Sequence, residues 1–337
     1  MKRYIITTLA IFAACILLGV SFPAQSAQTD NRDLDALLTH VQDAAANVVC
    51  VAEGTTTLHH HGKLVTSAIK VYHGTQHRRR IEYLTPPLKG LIVISDEKHT
   101  WRYDPKEDRV VVTDHSHSSN PEDRRKSLVS NHRVRIACTG KKAGRDAILL
   151  KMTSATGSIK KEIWLDASTY EKLANTDYND KGEFEASTEF TSIKYVNSLP
   201  DRLFKDPKRD HPFRELSLSK PISLEELSKQ VGFKVSIPTF VPAGYKLDGY
   251  WVYKSRRHPV NVAYTRYTDG LDTISIFEMR RDDACKFHVG HGEYPADSYI
   301  AKDLARGHIG MMTAHGRSFA IIGDDPRKIK KIADSLK

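Results

Sequence analysis

Residues 63–114 alternate apolar and polar side chains with a period of two, which restricts the chain to folds built on a large antiparallel sheet. Ile69 and Val71, for example, alternate with Lys70 and Tyr72. Successive side chains of a strand point to opposite faces of its sheet, so each of these strands has one apolar face. Such a face must be covered by another part of the sheet, by helices or by a ligand. The pattern therefore indicates apolar burial rather than bond-making chemistry.

The segment 1–27 has the layout of a secretion signal. Lys2 and Arg3 precede an uncharged apolar core, and small residues with a helix-breaking Pro23 end the segment. We therefore expect a cleaved signal peptide of the bacterial type and a mature protein in the periplasm. Two alternatives stay open: an uncleaved membrane anchor, and a lipoprotein that carries its lipid on Cys15.

Charge and motifs limit the classes of function. The formal net charge of +10 fits an acidic partner, an anionic lipid surface or simple solubility. Nucleic acid is not expected as a partner after export. The sequence contains no Gly-x-Ser-x-Gly motif, no His-Glu-x-x-His motif and no phosphate-binding glycine loop. The chain is therefore predicted not to be an enzyme, and no cofactor is expected.

Composition divides the mature chain into two domains. Residues 28–198 contain a helix predicted over 31–46, about ten short strands and a further short helix. Residues 199–221 are rich in proline and charge and lack apolar periodicity, which is typical of a linker. Residues 222–337 begin with the capping-box spacing Ser-Leu-Glu-Glu and continue as strands and a closing helix, so a smaller α+β domain is expected.

Several segments resemble the RseB/MucB family of periplasmic sigma-factor regulators. In the first domain these segments are Arg80–Leu88, Ala143–Arg145, Ile163–Asp166 and Tyr178–Gly182. In the second domain they are Val241–Tyr245, Tyr267–Phe277 and Gly316–Gly323. The resemblance implies an α+β protein in which an N-terminal LolA-like antiparallel half-barrel with covering helices is linked to a C-terminal domain of the RseB/MucB kind.

The resemblance also implies a regulatory function. Proteins of this family bind the periplasmic segment of a membrane anti-sigma factor and protect it from proteolysis, as part of an envelope stress response. The acyl chain of a lipoprotein or of lipopolysaccharide is the apolar ligand that loosens the complex. Two alternatives remain: a LolA-like periplasmic carrier of lipoproteins or lipids, and a structural envelope protein with a closed core.

An apolar cavity in the half-barrel is the predicted ligand site. Its expected lining consists of the apolar strand residues Ile69, Val71, Ile81, Tyr83, Leu91, Val93, Trp101, Tyr103, Ile148, Leu150, Ile163 and Leu165. A half-barrel that is not fully closed leaves space beneath its helices, and each buried CH₂ of an acyl chain contributes about 0.8 kcal/mol. The alternative is that these residues pack on one another as an ordinary core.

Three cysteines remain after removal of the signal segment. Cys50 and Cys138 both fall in predicted strands of the first domain, and we expect them to form a disulfide in an oxidising compartment. Two buried, unpaired thiols are the alternative. If Cys50 and Cys138 pair, Cys285 is left as a free thiol.

The histidines are expected to be structural or solvated, and no metal site is predicted. The cluster His59–His61 occupies a hairpin turn, where consecutive side chains point to opposite faces. Cys285, His288 and His291 recur at intervals of three residues and are the strongest of the weak metal-ligand patterns.

Overall fold

Strands and helices follow one another along the described chain in two halves. The computed structural model describes residues 31–60, 63–106, 108–114, 121–205, 213–255, 260–284, 299–303 and 307–336. We call residues 31–205 the first half and residues 213–336 the second half. The segment 1–27, predicted to be a signal peptide, lies outside the described residues.

The first half consists of two helices and a run of strands. Its helices are α1 (Asn31–Asn47) and α2 (Pro121–Asn131). Its strands are β1 (Cys50–His60), β2 (Lys63–His73), β3 (Arg79–Tyr83), β4 (Ile92–Ser95), β5 (His99–Asp104), β6 (Arg109–Asp114), β7 (His132–Lys142), β8 (Arg145–Ser154), β9 (Ile159–Asp166), β10 (Lys172–Tyr178) and β11 (Phe184–Tyr195).

The second half is smaller. Its helices are α3 (Leu224–Val231) and α4 (Pro326–Ser335). Its strands are β12 (Phe213–Leu218), β13 (Lys246–Ser255), β14 (Asn261–Thr268), β15 (Thr273–Arg280), β16 (Tyr299–Asp303), β17 (His308–Ala314) and β18 (Arg317–Gly323).

The strands pair almost entirely in antiparallel fashion. In the first half the spatial order is β7-β8-β9-β10-β11-β1-β2-β3-β4-β5-β6. In the second half it is β12-β13-β14-β15-β18-β17-β16. The sheet is open, with β7 and β16 at its two ends among the described pairings. The predicted α+β class is confirmed.

A parallel pairing joins the two halves. Strand β12 pairs in parallel with β6, with Phe213 opposite Val110, and in antiparallel fashion with β13. The segment 199–221, predicted to be a linker, therefore contains a strand, and it also contains a short 3₁₀ helix at Asp201–Phe204. Its charged composition hides the strand because the pairing partners lie far away in the sequence.

The helices form where the sequence supplies caps and an apolar side. The side chain of Ser223 accepts a hydrogen bond from the backbone N–H of Glu226, and Gly232 ends α3 in the left-handed region with φ of 75°. Asp325 caps α4, and Pro326 occupies its first turn. Within the described part of the chain, no helix combines the length and apolar character that a bilayer-spanning segment needs.

Three of the buried clusters lie between the helices and the sheet. In the first half, α1 packs on β7, β8 and β9. In the second half, α4 packs on β15, β17 and β18, and α3 packs on β13 and β14. The helices therefore cover only part of the sheet in each half, and further buried clusters without helix residues lie elsewhere on the strands.

Candidate functional site

Strand register places most of the predicted cavity residues on one face of the first half. Residues directly opposite each other in neighbouring strands share a face. Leu150 lies opposite Ile163 and Val71 lies opposite Ile81, and the intervening pairings carry the same face across the sheet. We call this the inner face, and of the predicted residues it includes Ile69, Val71, Ile81, Tyr83, Val93, Ile148, Leu150, Ile163 and Leu165.

Trp101 and Tyr103 lie on the opposite face, so their prediction as part of the same lining is wrong. Val93 on the inner face lies opposite Arg102, and the neighbours of Arg102 must therefore point away. Trp101 and Tyr103 instead pack with a separate buried cluster around Val110 and Val112. Leu91 is buried and precedes β4.

Helix α1 covers one part of the inner face. Leu34, Leu37 and Leu38 are buried against a cluster that includes Leu150 and Ile163. This part of the predicted lining is thus packed core beneath a covering helix. Ile69 and Val71 belong to a second cluster with Ala52 and Phe190. The predicted lining residues are therefore divided among separate packed clusters.

A hollow of about 230 Å³ lies on the inner face. It is smaller than the roughly 300–1,000 Å³ of typical small-molecule pockets. Its wall is more polar than apolar and is formed by Thr56, Ile69, Arg79, Ile81, Tyr83, Lys161, Lys172, Asn175, Asp177 and Thr188. The sequence prediction of a wholly apolar lining missed these polar and basic groups, because they come from strands whose neighbours are set by the tertiary fold.

Two of the three basic side chains in the hollow, Arg79 and Lys172, have no hydrogen bond or ion pair among the described residues. Nε of Arg79 is buried without a hydrogen-bond partner. Among the described residues the side chain of Lys172 makes no hydrogen bond or ion pair, whereas Lys161 is paired with Asp177. Burial, followed by the charges of Arg79 and Lys161, lowers the pKa of Lys172 to about 8. Unpaired cations are costly away from water, so the hollow is suited to an anionic group.

The predicted disulfide between Cys50 and Cys138 is absent. Both thiols are free, Cys50 buried and Cys138 exposed. Strands β1 and β7 are separated in the sheet by β8, β9, β10 and β11, and neighbouring strands are about 4.8 Å apart. A disulfide needs Cα atoms roughly 4.4–6.8 Å apart, which this strand order does not allow.

Cys50 instead lies in a buried cluster with His73 and Glu171, which the sequence analysis did not identify. Nδ1 of His73 is 3.0 Å from Oε2 of Glu171, and its Nε2 is 2.9 Å from the carbonyl oxygen of Ala45 at the end of α1. Burial, followed by the charge of Glu171, raises the pKa of the Cys50 thiol to about 12. The weak metal-ligand pattern at Cys285 lies outside the described residues.

A second polar cluster, centred on the buried Lys160, joins the halves. Nζ of Lys160 on β9 is 2.5 Å from Asp180 in the first half, 2.9 Å from Asp272 and 3.0 Å from Asp324 in the second half. Burial by itself lowers the pKa of Lys160, but the charges of Asp272 and Asp324 outweigh this effect and the net shift is upward. Burial, together with the charge of Asp324, raises the pKa of Asp272 to about 6.

Comparison with known proteins identifies the fold. No protein-family model matches the chain, and no curated protein matches its sequence. The fold is similar to solved structures of MucB. One is MucB in complex with MucA(peri), with a TM-score of 0.58, 17% identity and coverage of 90% of this chain and 98% of that chain.

Two other MucB structures agree. The Pseudomonas aeruginosa MucA/MucB complex has a TM-score of 0.56 and 17% identity, and covers 89% of this chain and 97% of that chain. A structure of MucB has a TM-score of 0.51 and 17% identity, with 91% and 98% of the two chains covered. The fold seen in the sequence resemblance is thus confirmed over nearly the whole length of both chains.

Proposed function

We propose that this protein is a periplasmic regulator that binds the exported segment of a membrane anti-sigma factor and protects it from proteolysis. The observation that carries the proposal is the shared fold with MucB, which has been solved in complex with MucA(peri) and which aligns with both halves of this chain. A likeness restricted to the first half would favour a simple carrier, whereas both halves are present here in the same order.

The groove between α3 and α4 is the proposed docking surface in the second half. Its volume is about 980 Å³, and more of its wall is apolar than polar. Ile237 in its wall is 41% exposed, and Phe240 nearby is also exposed. Its lining consists of Leu224, Glu225, Ser228, Lys234, Val235, Ser236, Ile237, Thr239, His315, Arg317, Ser335 and Leu336. An exposed apolar groove with a polar rim suits an amphipathic peptide segment.

The inner face of the first half is the proposed sensor. The acyl chain of a lipoprotein or of lipopolysaccharide would enter beneath α1, with the unpaired cations Arg79 and Lys172 facing an anionic group of the same ligand. Because the hollow of about 230 Å³ is small, entry requires the cluster beneath α1 to open. The ligand changes the fraction of protein bound to the anti-sigma segment only if its affinity differs between the free protein and the complex.

A binding experiment tests the partner. The mature chain is titrated by calorimetry with the exported segment of the anti-sigma factor encoded beside its gene, and protease protection of that segment is measured in parallel. Saturable binding with protection is expected. Ile237→Asp should weaken binding at least about tenfold, since a charge is then buried in an apolar groove. Leu64→Asp, at an exposed apolar site on β2 in the first half, is the matched control and should leave binding unchanged. Absence of binding by the folded wild-type chain would overturn the proposal.

A carrier of lipoproteins or lipids is the second candidate. The hollow on the inner face, together with a helix that covers another part of that face, favours it. This function predicts stoichiometric lipid in the purified chain, transfer of that lipid to acceptor membranes, and no anti-sigma partner. Native mass spectrometry combined with a transfer assay distinguishes it from the regulator.

A further inference from the structure

Three potential metal ligands from separate segments of the chain converge inside the first half. Cys50 on β1 lies directly opposite His73 on β2, and Glu171 immediately precedes β10. The ligand atoms of these three side chains lie within 4.8 Å of one another, and all three residues are buried. Nothing in the regulatory function proposed above makes use of this cluster.

Hydrogen bonding fixes the tautomer of His73. A carbonyl oxygen can only accept, so Nε2 of His73 donates its hydrogen to the carbonyl of Ala45 at 2.9 Å. Neutral His73 then has a lone pair on Nδ1, which faces Oε2 of Glu171 at 3.0 Å. Two acceptors at this distance need a positive species between them, either a proton or a metal ion.

The donor set fits a borderline divalent metal. Thiolate, imidazole and carboxylate are the ligands that zinc takes in proteins. A histidine that binds metal usually donates its other ring N–H to a backbone carbonyl or carboxylate, as His73 does toward Ala45. The charges also balance, because one thiolate and one carboxylate neutralise a divalent ion.

Neighbouring charges act in both directions. Arg79 lies opposite His73 on β3, and its charge repels a cation, whereas the carboxylate of Glu171 attracts one. The hydroxyl of Tyr195, opposite Cys50 on β11, donates to Asp166 and is therefore already engaged. Lys172 is the next residue after Glu171. With these cations close by, only a neutral complex with both anionic ligands is suited to the cluster.

We propose that Cys50, His73 and Glu171 bind one divalent ion of the zinc class. Water completes the coordination, since the described residues supply three ligands. Binding replaces the thiol proton of Cys50 and any proton shared by His73 and Glu171, and these protons pass to solvent. His73 is hydrogen-bonded to the carbonyl of Ala45. A bound ion therefore also stabilises the contact between the end of α1 and the sheet.

Metal titration tests the site. The mature chain is stripped with chelator, and binding of Zn²⁺ and Cd²⁺ is measured by equilibrium dialysis, with the ultraviolet charge-transfer band of cadmium thiolate as a spectroscopic signature. One ion per chain and a thiolate band are expected. Cys50→Ser and His73→Gln should lose both, whereas Cys138→Ser and Cys285→Ser should keep both. Loss of the ion in Cys285→Ser, or its retention in folded Cys50→Ser, would overturn the proposal.

A second measurement uses the chain without a change at the site. Pulsed alkylation in mild denaturant compares Cys50 with the exposed Cys138 of the same molecule, in a Cys285→Ser background. Zn²⁺ at about 100 times its dissociation constant should slow modification of Cys50 by at least about tenfold, since a ligand bound only to the native state stabilises it. Cys138 should be unaffected. Equal rates for Cys50 with and without Zn²⁺ would also overturn the proposal.

Discussion

Nζ of Lys160 in the first half lies 2.9 Å from Oδ2 of Asp272 in the second half, so one buried lysine ties the two halves together. Its side chain is 3% exposed and also contacts Asp180 and Asp324. Lys328 of α4 extends the cluster by an ion pair of 2.8 Å with Asp180. The junction therefore rests on mutually compensating, partly exposed charges arranged around one buried lysine.

Lys160→Met should destabilise the protein strongly. Removal of one member of a buried charge cluster leaves the others uncompensated, and we expect a loss of about 3–5 kcal/mol in the free energy of unfolding. Urea unfolding measures the loss. The matched control is Lys141→Met, which removes a fully exposed pair with Asp146 and should cost less than about 1 kcal/mol. Equal effects of the two substitutions would contradict this account of the junction.

Asp166 should make stability sensitive to acid. Burial opposes its ionised form, but hydrogen bonds from Arg145, Ser168 and Tyr195 outweigh burial and lower its pKa to about 2. A lowered pKa means that the stabilisation is fully present above the ordinary pKa of about 3.9 and is lost as the pH falls through about 2.

The pH profile of unfolding checks this prediction. Wild-type protein should lose about 2 kcal/mol more than Asp166→Asn between about pH 5 and pH 2. The exposed substitution Asp146→Asn should leave the slope of the wild type unchanged. A wild-type slope that persists in Asp166→Asn would assign the acid sensitivity to other carboxylates.

Lys172→Met should stabilise the protein at neutral pH. The pKa of Lys172 is lowered to about 8, so the charged form is disfavoured in the folded state. The cost of charging this group in the folded state is absent above its ordinary pKa of about 10.4, grows as the pH falls, and is complete below about 8. At pH 7 the substitution should therefore add on the order of 1–2 kcal/mol.

Thermal unfolding of Lys172→Met measures the gain, and Lys161→Met is its control. Lys161 lines the same hollow but is paired with Asp177, so its removal should give no gain. If Lys172→Met is less stable than wild type at pH 7, the ammonium group of Lys172 already has an anionic partner in solution. The hollow would then not be suited to bind a further anion.

Leu37→Ala should loosen the cover over the inner face. The side chain of Leu37 is buried between α1 and the sheet, and large-to-small changes at such sites cost about 2–5 kcal/mol. We also expect tighter binding of an apolar fluorescent probe, because the cluster beneath α1 then opens more readily. Leu64→Ala, at an exposed site, should change neither quantity by more than a small amount. Unchanged probe binding in folded Leu37→Ala would argue against entry beneath α1.

Local patterns predicted the elements of this fold well. The alternation over residues 63–114 corresponds to β2 through β6, and the leucines of α1 are buried as their helical spacing predicts. The capping box at Ser223 begins α3. These features depend on neighbours within a few residues, which a sequence displays directly.

Features that depend on strand order could not be read in the same way. Period two shows that Trp101 and Tyr103 share a face, but only the register with β4 shows that it is the outer one. Likewise the position of β7 relative to β1 excludes the disulfide of Cys50. Lys160 lies far in sequence from Asp324, and only the assembled halves bring them together.

Strand β12 is hydrogen-bonded on both flanks, to β6 and to β13. Cleavage of the chain within residues 199–221 would therefore expose a strand edge on at least one fragment. The backbone amide and carbonyl groups of that edge would have no hydrogen-bond partners. Fragments produced separately should self-associate through these edges. Mixing the two fragments should restore the hydrogen bonds between β6 and β12. Strand β12 therefore makes the pairings of the two halves continuous from β6 to β13.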